Sequence, residues 1–272
     1  MTAPQPHVLV EPRDGVLWIT FNRPEKRNAL TPESFVRLHD AWVLLRDDPD
    51  LRVAVVTGAG DVAFTAGGDL GRLIPLMTKA RQPEDEWDER MLGDPGLMDI
   101  ALLKNVELYK PVVAAVNGWA LAGGTELLQA TDIRVASTRA RFGLTEAKRG
   151  IVPGGGSMAR LARQVPWCLA MEILLTGDDI SADDAFRIVL VNRVVEPDEL
   201  LPTAQRYADT LAANGPLALA AIKEAVVRSS GVPMAEAYAI EAELSARVMA
   251  TDDAKEGPLA FMEKRPARFT GR

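Results

Sequence analysis

Residues 111–137 read PVVAAVNGWALAGGTELLQATDIRVAS and place a predicted helix between two predicted strands. Both ends of this stretch are rich in β-branched residues and finish at turn formers, which predicts the strands PVVAAVNG and IRVAS. The helix is predicted to begin at Gly123 and Gly124, with Glu126 in its first turn among apolar neighbours. A helix that only had to fold would not favour glycine there. Because the first N–H groups of a helix lack partners inside it, the glycine pair indicates that an oxygen carrying negative charge approaches this turn.

The rest of the first half repeats this alternation of strand and helix. VLWITFN (16–22) and RVAVVTG (52–58) have the composition of strands, and TPESFVRLHDAWVLLRDD between them has Thr31 as N-cap and apolar residues at helical spacing. This alternation predicts an α/β fold with parallel pairing. Beyond residue 181 we expect one more strand, LVNRVV, and amphipathic helices. The charged segment 77–96 predicts a loop or a short helix near a site.

The composition restricts the class of protein. The chain has 272 residues, of which 47% are hydrophobic and 25% charged, as in globular proteins with a sizeable core. The net charge of −7 argues against a nucleic-acid partner. No secretory leader pattern and no long uncharged apolar run is present, so we expect a soluble cytoplasmic protein with no membrane partner. The single cysteine, Cys168, excludes an intramolecular disulfide and is interpreted as a core residue.

Histidine occurs only twice, at His7 and His39, and this restricts the chemistry. His7 lies in a proline-rich leader and His39 in a predicted surface helix, so both are interpreted as structural or solvated. Ser-His-Asp triads, Cys-His pairs and histidine-based metal sites therefore lack their usual base or ligand. We expect carboxylates to transfer protons in this protein, and we expect no metal.

Two glycine motifs follow the predicted strand at 52–58. Residues 58–63 fit the loose dinucleotide pattern G-x-G-x-x-A, but the next residues, FTAGGDL (64–70), show no helical period, which disfavours pyrophosphate binding. FTAGGDL itself contains a glycine pair, which permits a tight loop or a bend with outward-pointing N–H groups. Two such sets of N–H groups aimed at one oxygen would form an oxyanion hole beside Glu126.

A second carboxylate, Glu146, follows the strand-like segment ARFGL and precedes a glycine-rich turn at 154–156. The separation of 20 residues from Glu126 (146 − 126) suffices for a helix, a strand and a return to the same end of a sheet. The spacing leaves two alternatives open: a pair of acids in one site, or two solvated glutamates.

Five segments, in order and at compatible spacing, resemble the signature blocks of the enoyl-CoA hydratase/isomerase (crotonase) superfamily: ITFNRPEKRNAL, FTAGGDL, KPVVAAVNGWALAGGTELLQATDIRVAS, FGLTEAKRGIVPGGG and AMEILLTGDDISADDA. The resemblance covers nearly the whole chain. It implies an α/β fold, a crotonase (ClpP-like) spiral of repeated ββα units over residues 1–200. It also implies a C-terminal helical section over residues 201–272 that is used for trimerisation, in a homotrimer or in a homohexamer of two trimers.

The same resemblance implies an acyl-CoA thioester substrate and assigns roles to residues. Backbone N–H groups of Gly68 and Gly123 would hold the thioester oxygen, while Glu126 and Glu146 would handle the water that adds across the C2=C3 bond of a trans-2-enoyl-CoA. Coenzyme A is part of that substrate, and no cofactor is implied. The residues implied in binding coenzyme A or substrate are Lys26, Ala66, Asp69 and Leu70, together with Phe261 and Lys264 from the C-terminal section.

Several positions depart from the commonest hydratase pattern. Ala122 stands where a third glycine is common, Thr125 where cysteine is common, and Thr145 where proline often precedes the second glutamate. The retained glutamate pair favours an enoyl-CoA hydratase. The alternatives are an enoyl-CoA isomerase, a carnitinyl-CoA-like dehydratase, or a homologue that binds CoA esters without turnover. The sequence leaves open which glutamate is the acid, and which acyl chain is bound.

Overall fold

The computed structural model describes residues 5–272. Within this range the chain forms ten strands and twelve α-helices, which largely alternate over the first two thirds of the chain. The strands are β1 (Val8–Arg13), β2 (Val16–Phe21), β3 (Val53–Gly58), β4 (Ala63–Thr65), β5 (Val112–Val116), β6 (Trp119–Leu121), β7 (Ile133–Ser137), β8 (Arg141–Gly143), β9 (Asp179–Ser181) and β10 (Arg193–Val195). The α-helices are α1 (Pro32–Asp47), α2 (Leu73–Met77), α3 (Glu86–Gly93), α4 (Leu97–Ala101), α5 (Gly123–Leu128), α6 (Ser157–Gln164), α7 (Trp167–Thr176), α8 (Ala182–Arg187), α9 (Leu200–Ala213), α10 (Pro216–Arg228), α11 (Met234–Met249) and α12 (Asp253–Met262).

The strands build two sheets that the chain visits in turn. The larger sheet has the order β1-β2-β3-β5-β7-β10, and all its pairs are parallel except β1 with β2. The smaller sheet has the order β4-β6-β8-β9, with β4, β6 and β8 parallel. Each of the consecutive pairs β3–β4, β5–β6 and β7–β8 contributes one strand to each sheet. This winding confirms the predicted spiral of repeated strand pairs.

The central strands of the larger sheet are buried on both faces, as expected for parallel strands covered by helices. All six residues of β3 and all five of β5 are buried. Their side chains alternate between two apolar clusters: Ala54 and Val56 pack in the main core, while Val53 and Val55 pack on the opposite face, where α9 covers the sheet. The strands predicted from β-branched residues at 16–22, 52–58, 111–118 and 133–137 are thus confirmed.

Helix α1 begins as its sequence predicts. The Thr31 side chain accepts a hydrogen bond from the Ser34 N–H, the Ser34 hydroxyl accepts one from the Thr31 N–H, and Pro32 occupies the first turn. In contrast, Cys168 on α7 is exposed, so its interpretation as a core residue was wrong. Cysteine is usually buried, but the orientation of α7 places this side chain on the surface.

The segment 77–96 contains the short helix α3, which agrees with the prediction of a loop or short helix. Asp85 caps α3 by accepting a hydrogen bond from the Asp88 N–H. The Asp88 carboxylate is fully buried and is paired with the Arg81 guanidinium through two hydrogen bonds. This buried ion pair folds the segment back on itself.

The C-terminal helices divide into two groups. Helix α9 packs on β3, β5 and β7 and shares their core, whereas α10 and α11 pack mainly on each other. The predicted boundary between residues 200 and 201 stays a prediction, and the packing of α9 ties the first helix of the second section to the spiral. Within residues 5–272, no helix is both long enough and apolar enough to cross a membrane.

Candidate active site

Helix α5 begins where the sequence predicts, at the glycine pair that follows β6. Its N-cap, Ala122, has φ 51° and ψ −123°, a conformation that glycine adopts readily and an L-residue adopts only under strain. Gly124 leaves no room for a side chain, since a Cβ there would lie 2.7 Å from Thr65 Cγ2 and 2.9 Å from the Thr65 carbonyl oxygen. The start of α5 is therefore pressed directly against the end of β4.

Thr125 explains one departure from the hydratase pattern. Its hydroxyl donates to the Ala120 carbonyl of β6 and accepts a hydrogen bond of 3.2 Å from the Gly143 N–H of β8. The hydroxyl thus joins α5 to two strands of the smaller sheet, and the residue at this position has a structural function in this chain.

The loop after β4 runs alongside both α5 and the segment 27–30. Leu30 donates its N–H to the Gly67 carbonyl at 2.8 Å and accepts from the Asp69 N–H at 2.8 Å. Gly67 has φ 86°, and a Cβ on it would lie 2.6 Å from Ala122 Cβ and 3.3 Å from the Gly123 nitrogen. The two glycine pairs that the sequence singled out are therefore brought together, with Gly67 in contact with the first turn of α5.

Gly68 and Gly123 present free backbone donors at this junction. Within residues 5–272, neither N–H donates a hydrogen bond to a protein acceptor. The N–H of Gly123 is free because it precedes the first intrahelical bond, and that of Gly68 because the bridge to Leu30 uses only the residues on either side of it. Helix α5 has only six residues, so these two donors, more than a long helix dipole, supply the positive potential.

Glu126 lies one turn into α5 and is 4% exposed. Its Oε1 accepts a hydrogen bond of 3.3 Å from the Ser157 N–H, and a Cβ on Gly155 would come within 2.8 Å of its Oε2. Burial raises the pKa of Glu126 above its ordinary value, while the N–H groups of Ser157 and Gly155 and the positive charges of Arg160 and Lys104 oppose that rise. The carboxylate is therefore buried but supported by donors that favour its ionised form.

Glu146 follows β8 and is 7% exposed. Burial and the negative charge of Glu126 raise the pKa of Glu146 to about 7. Its Oε2 is buried, and within the described part of the chain it has no hydrogen-bond partner. The structure therefore decides between the two alternatives that the sequence left open: the glutamates are a buried, interacting pair and are not solvated.

Three of the residues implied in coenzyme A binding lie in or beside the loop after β4. Lys26 is exposed at the end of a 3₁₀ helix, and the following residue accepts a hydrogen bond from the Ala66 N–H at 3.0 Å. Leu70 is 58% exposed. The contact of these residues with coenzyme A stays a prediction.

The Asp69 side chain is already occupied by protein donors. Its Oδ1 accepts from the N–H groups of Gly71 and Arg72, and its Oδ2 accepts from Arg23 at 2.9 Å. Burial acts to raise the pKa of Asp69, but these donors hold it below its ordinary value. The carboxylate therefore anchors the loop. The backbone of Asp69 is engaged as well, since its N–H donates to the Leu30 carbonyl and its carbonyl accepts from the N–H groups of Leu73 and Ile74. A contact of Asp69 with a ligand stays a prediction.

Phe261 and Lys264 lie on and just beyond the last helix, with exposed side chains. Phe261 on α12 is 85% exposed, and Lys264 is exposed just beyond that helix. Helix α12 packs on α11 and is held by bonds between Glu256 and Arg265. Their contact with substrate, and the second copy of the chain that the resemblance implies for it, stay predictions.

Two other kinds of site receive no support from the geometry. No helix begins at residues 58–63, which pass through bends into β4, so the dinucleotide pattern lacks the helix it requires. Between residues 5 and 272, no three His, Cys, Asp or Glu side chains are grouped to hold a metal ion. The expectation that the protein needs no metal or cofactor stays a prediction.

Sequence patterns did not identify the donors around Glu126. The glycine turn at 154–156 was visible in the sequence, but its function was not. It leads into α6, whose first N–H groups are free to bind a carboxylate. The Ser157 side chain is fixed by Gln129, whose Nε2 donates to the hydroxyl at 2.8 Å. The usable signal was a glycine run directly before a helix.

The fold and the site together define an α/β spiral protein with free N–H groups beside two buried carboxylates. The chain belongs to the enoyl-CoA hydratase/isomerase family, whose model matches residues 11–272. It is 44% identical over 267 residues to the enoyl-CoA hydratase EchA19 of Mycobacterium tuberculosis, covering 98% of this chain and 97% of that protein. It is 38% identical over 263 residues to a crotonyl-CoA hydratase of Syntrophomonas wolfei, covering 97% of each. A crystal structure of enoyl-CoA hydratase from Mycobacterium tuberculosis H37Rv superimposes with a TM-score of 0.86 at 39% identity, covering 98% of this chain and all of that one.

Proposed function

We propose that the protein is an enoyl-CoA hydratase, which adds water reversibly across the C2=C3 bond of a trans-2-enoyl-CoA thioester. The observation that carries this proposal is the buried, interacting pair Glu126 and Glu146, which begins one helical turn from the free N–H group of Gly123. Membership of the enoyl-CoA hydratase/isomerase family, and the hydratase names of similar proteins, support it.

The N–H groups of Gly68 and Gly123 donate to the thioester oxygen. When water adds to C3, electron density moves through C2 and the carbonyl carbon onto this oxygen. Donors that are already in place gain strength as that charge develops, and each lowers the barrier by about 3 kcal/mol. Glycine at 67 and 124 allows the loop after β4 and the start of α5 to pack closely, which supports this proposal.

The two glutamates divide the proton transfers according to their surroundings. Glu126, supported by N–H donors and positive charge, is the ionised base that takes a proton from water while the oxygen bonds to C3. Glu146, whose pKa is raised to about 7, is the acid that delivers a proton to C2. The dehydration reaction uses the same groups in reverse.

Coenzyme A binds along the loop after β4 and is reached by a second subunit. The near side is formed by Lys26, Ala66, Asp69 and Leu70, and Phe261 and Lys264 come from a neighbouring chain. An assembly of three chains, or of two such trimers, agrees with the apolar surface that the C-terminal helices expose. The large apolar side chains exposed there include Ile222, Val226, Val227, Met234, Tyr238, Met249, Leu259, Phe261 and Met262. Light scattering after gel filtration measures the assembly directly, and a monomer would exclude the shared site.

The experiment that tests the function is hydration in labelled water. The protein is incubated with crotonyl-CoA in water enriched in ¹⁸O, and the thioester products are analysed by mass spectrometry. We expect 3-hydroxybutyryl-CoA that carries one ¹⁸O, with loss of the enoyl absorbance. The double variant Glu126→Gln/Glu146→Gln serves as the control and should form labelled product at least about 10²-fold more slowly than wild type.

The same assay separates the alternatives. A 3-enoyl-CoA substrate that is converted to the 2-enoyl isomer, without ¹⁸O incorporation, would identify an isomerase. Faster turnover of a carnitinyl-CoA thioester than of 3-hydroxybutyryl-CoA would identify a carnitinyl-CoA-like dehydratase. Binding of crotonyl-CoA without any product would identify a homologue that binds CoA esters only. A series of longer enoyl-CoA thioesters then defines the acyl chain, and a cytoplasmic location stays a prediction.

A further inference from the structure

Arg160 on α6 is half-buried and reaches three backbone carbonyls that belong to two different segments. Its guanidinium donates to the carbonyls of Leu102 at 3.5 Å, Leu103 at 2.5 Å and Gly155 at 3.4 Å. Within residues 5–272, no carboxylate oxygen lies within ion-pair distance of this side chain. A half-buried charge that is satisfied only by neutral acceptors is costly to desolvate, which indicates that the position has a use beyond a surface ion pair.

The segments that Arg160 joins are the ones that surround Glu126. A Cβ on Gly155 would lie 2.5 Å from Leu102 Cδ1 on one side and 2.8 Å from Glu126 Oε2 on the other. Leu102, the backbone of Gly155 and the Glu126 carboxylate are therefore stacked in direct contact. Because Arg160 fixes the carbonyls of Leu102 and Gly155 together, it sets the position of the N–H groups that bind Glu126.

Leu103 shows that this arrangement is held under strain. Its φ is 52°, in the left-handed region, which a leucine rarely occupies. The bond from Arg160 to the Leu103 carbonyl is the shortest of the three. A strained backbone persists where surrounding bonds over-determine it, and Arg160 supplies such bonds at the end of α4.

The charges that face this region favour the same conclusion. The charged groups that act on Glu126 are Arg160 and Lys104, Glu126 acts in turn on Glu146, and Glu126 and Asp99 act on Arg160. Lys104 is neutralised by Asp99, to which its Nζ donates at 3.1 Å, and it also donates to the Gly154 carbonyl at 3.3 Å. Arg160 has no such contact with a carboxylate, so it is the positive charge near Glu126 that is least compensated.

We propose that Arg160 is a positioning residue for the hydration reaction. It clamps the turn at 154–157 against Leu102 and Leu103, so that the N–H groups of Gly155 and Ser157 hold the Glu126 carboxylate ionised and correctly oriented. The kinetic part of this proposal rests on the proposed function, and the structural part does not.

The kinetic test compares Arg160→Met, Arg160→Lys and the control Arg163→Met. Arg163 lies three residues further along α6 and is exposed. For Arg160→Met we expect kcat for crotonyl-CoA hydration to fall by about 10-fold or more, as for other misplaced catalytic groups, with KM changed by less than about 3-fold. The acidic limb of the pH profile should move to higher pH. Arg160→Lys should lower kcat less and keep the limb near its wild-type position, because it retains the charge but not the planar fork.

Two kinetic results would overturn the proposal. One is an equal loss of rate at every pH in Arg160→Met, which is the signature of a purely structural role. The other is that Arg160→Met and Arg160→Lys both behave like Arg163→Met. If Arg160→Met does not fold, as judged by circular dichroism, Arg160→Lys decides alone, since wild-type kcat in that variant contradicts the proposed clamp.

A second measurement does not depend on turnover. ¹³C-carboxyl NMR, with the Glu126 signal assigned from its loss in Glu126→Gln, follows the ionisation of Glu126 directly. We expect the pKa of Glu126 to be higher in Arg160→Met than in wild type and unchanged in Arg163→Met. If the wild-type protein hydrates no enoyl-CoA, the proposed function fails while this titration still tests the clamp. An unchanged Glu126 titration in Arg160→Met would refute the clamp even in an active hydratase.

Discussion

The two sides of the site are formed by different chemical groups, backbone N–H groups on one side and carboxylate side chains on the other. On one side, Gly68 and Gly123 offer backbone N–H groups whose position is set by close packing around Gly67 and Gly124. On the other, Glu126 and Glu146 are side chains of the same type whose properties are set by what surrounds them. The first side depends on steric exclusion and the second on electrostatics. Substitutions on the two sides should therefore differ in a measurable way, since only the second side changes with pH.

The two carboxylates also differ from each other in their hydrogen-bond partners. Glu126 accepts N–H donors from the turn before α6, and its negative charge then acts on Glu146, whose Oε2 has no protein partner within the described residues. A buried carboxyl without donors favours its neutral form. The proposed division into base and acid rests on this difference, because Glu126 is given donors and Glu146 is not.

The largest loss of activity is expected when either carboxylate is replaced by an amide. Glu126→Gln and Glu146→Gln should each lower kcat for crotonyl-CoA hydration by at least about 10²-fold, the low end of general acid-base effects. The double variant should be little slower than either single variant, because the two groups act as a unit. Spectrophotometric rates for the three variants measure this. Single variants that retain wild-type rates would exclude the two-carboxylate mechanism.

Gly67→Ala is expected to disturb the close packing that positions the backbone N–H groups. The added Cβ would lie 2.6 Å from Ala122 Cβ and 2.8 Å from the Leu121 carbonyl oxygen, at φ 86°, so the backbone must shift. We expect the free energy of unfolding to fall by about 1–3 kcal/mol and kcat to fall by about 10- to 100-fold, since the two N–H donors no longer converge.

Gly154→Ala is the matched control for this substitution. Nothing lies within 4 Å of a Cβ at position 154, so unfolding and rate should stay close to wild type. The shape of the pH profile should be unchanged in Gly67→Ala, because that substitution leaves the carboxylates alone. A shifted pH profile would show that the two sides of the site are not independent.

The pH dependence of kcat tests the different roles proposed for Glu126 and Glu146. Glu146 must be protonated to act as the acid and its pKa is about 7, so kcat for hydration should fall about tenfold per pH unit as pH rises well above 7. On the acidic side the rate should fall as pH drops below the raised pKa of Glu126, because the base is then protonated. In Glu126→Gln the negative charge beside Glu146 is gone, so the pKa of Glu146, followed by ¹³C NMR, should decrease. An increase would contradict the assigned coupling.

Local patterns sufficed to predict much of the fold. The β-branched residues predict the buried strands at 53–58 and 112–116, and the N-cap residue predicts the start of α1. The three-residue strands β6 and β8 were not predicted as pairing partners, because WAL and RFG are too short to show a period. Their pairing is decided by the neighbouring turns of the spiral, which are distant in sequence.

For the candidate site, too, the sequence predicted the local features but not the contacts between distant segments. The glycine pairs and the apolar sequence neighbours of Glu126 are local features, and the structure places Gly67 against the start of α5. The electrostatic effect of Glu126 on Glu146, the donor from Ser157 to Glu126, and the anchoring of the loop by Asp69 all depend on how separate segments pack. No periodicity reports such contacts, and the pKa of a buried acid depends entirely on them.

The smallest expected change in stability is at Ala122, an alanine whose backbone conformation is one that glycine usually adopts. With φ 51° and ψ −123° it carries backbone strain, and glycine would relieve it at some entropic cost in the unfolded chain. We therefore expect Ala122→Gly to raise the free energy of unfolding by about 1 kcal/mol in urea titrations. The matched substitution Ala120→Gly, in the regular strand β6, should lower it by a similar amount, because glycine weakens a strand that has no strain to relieve. If both substitutions destabilise equally, the strain at the start of α5 does not contribute to stability, and close packing alone positions the Gly123 donor.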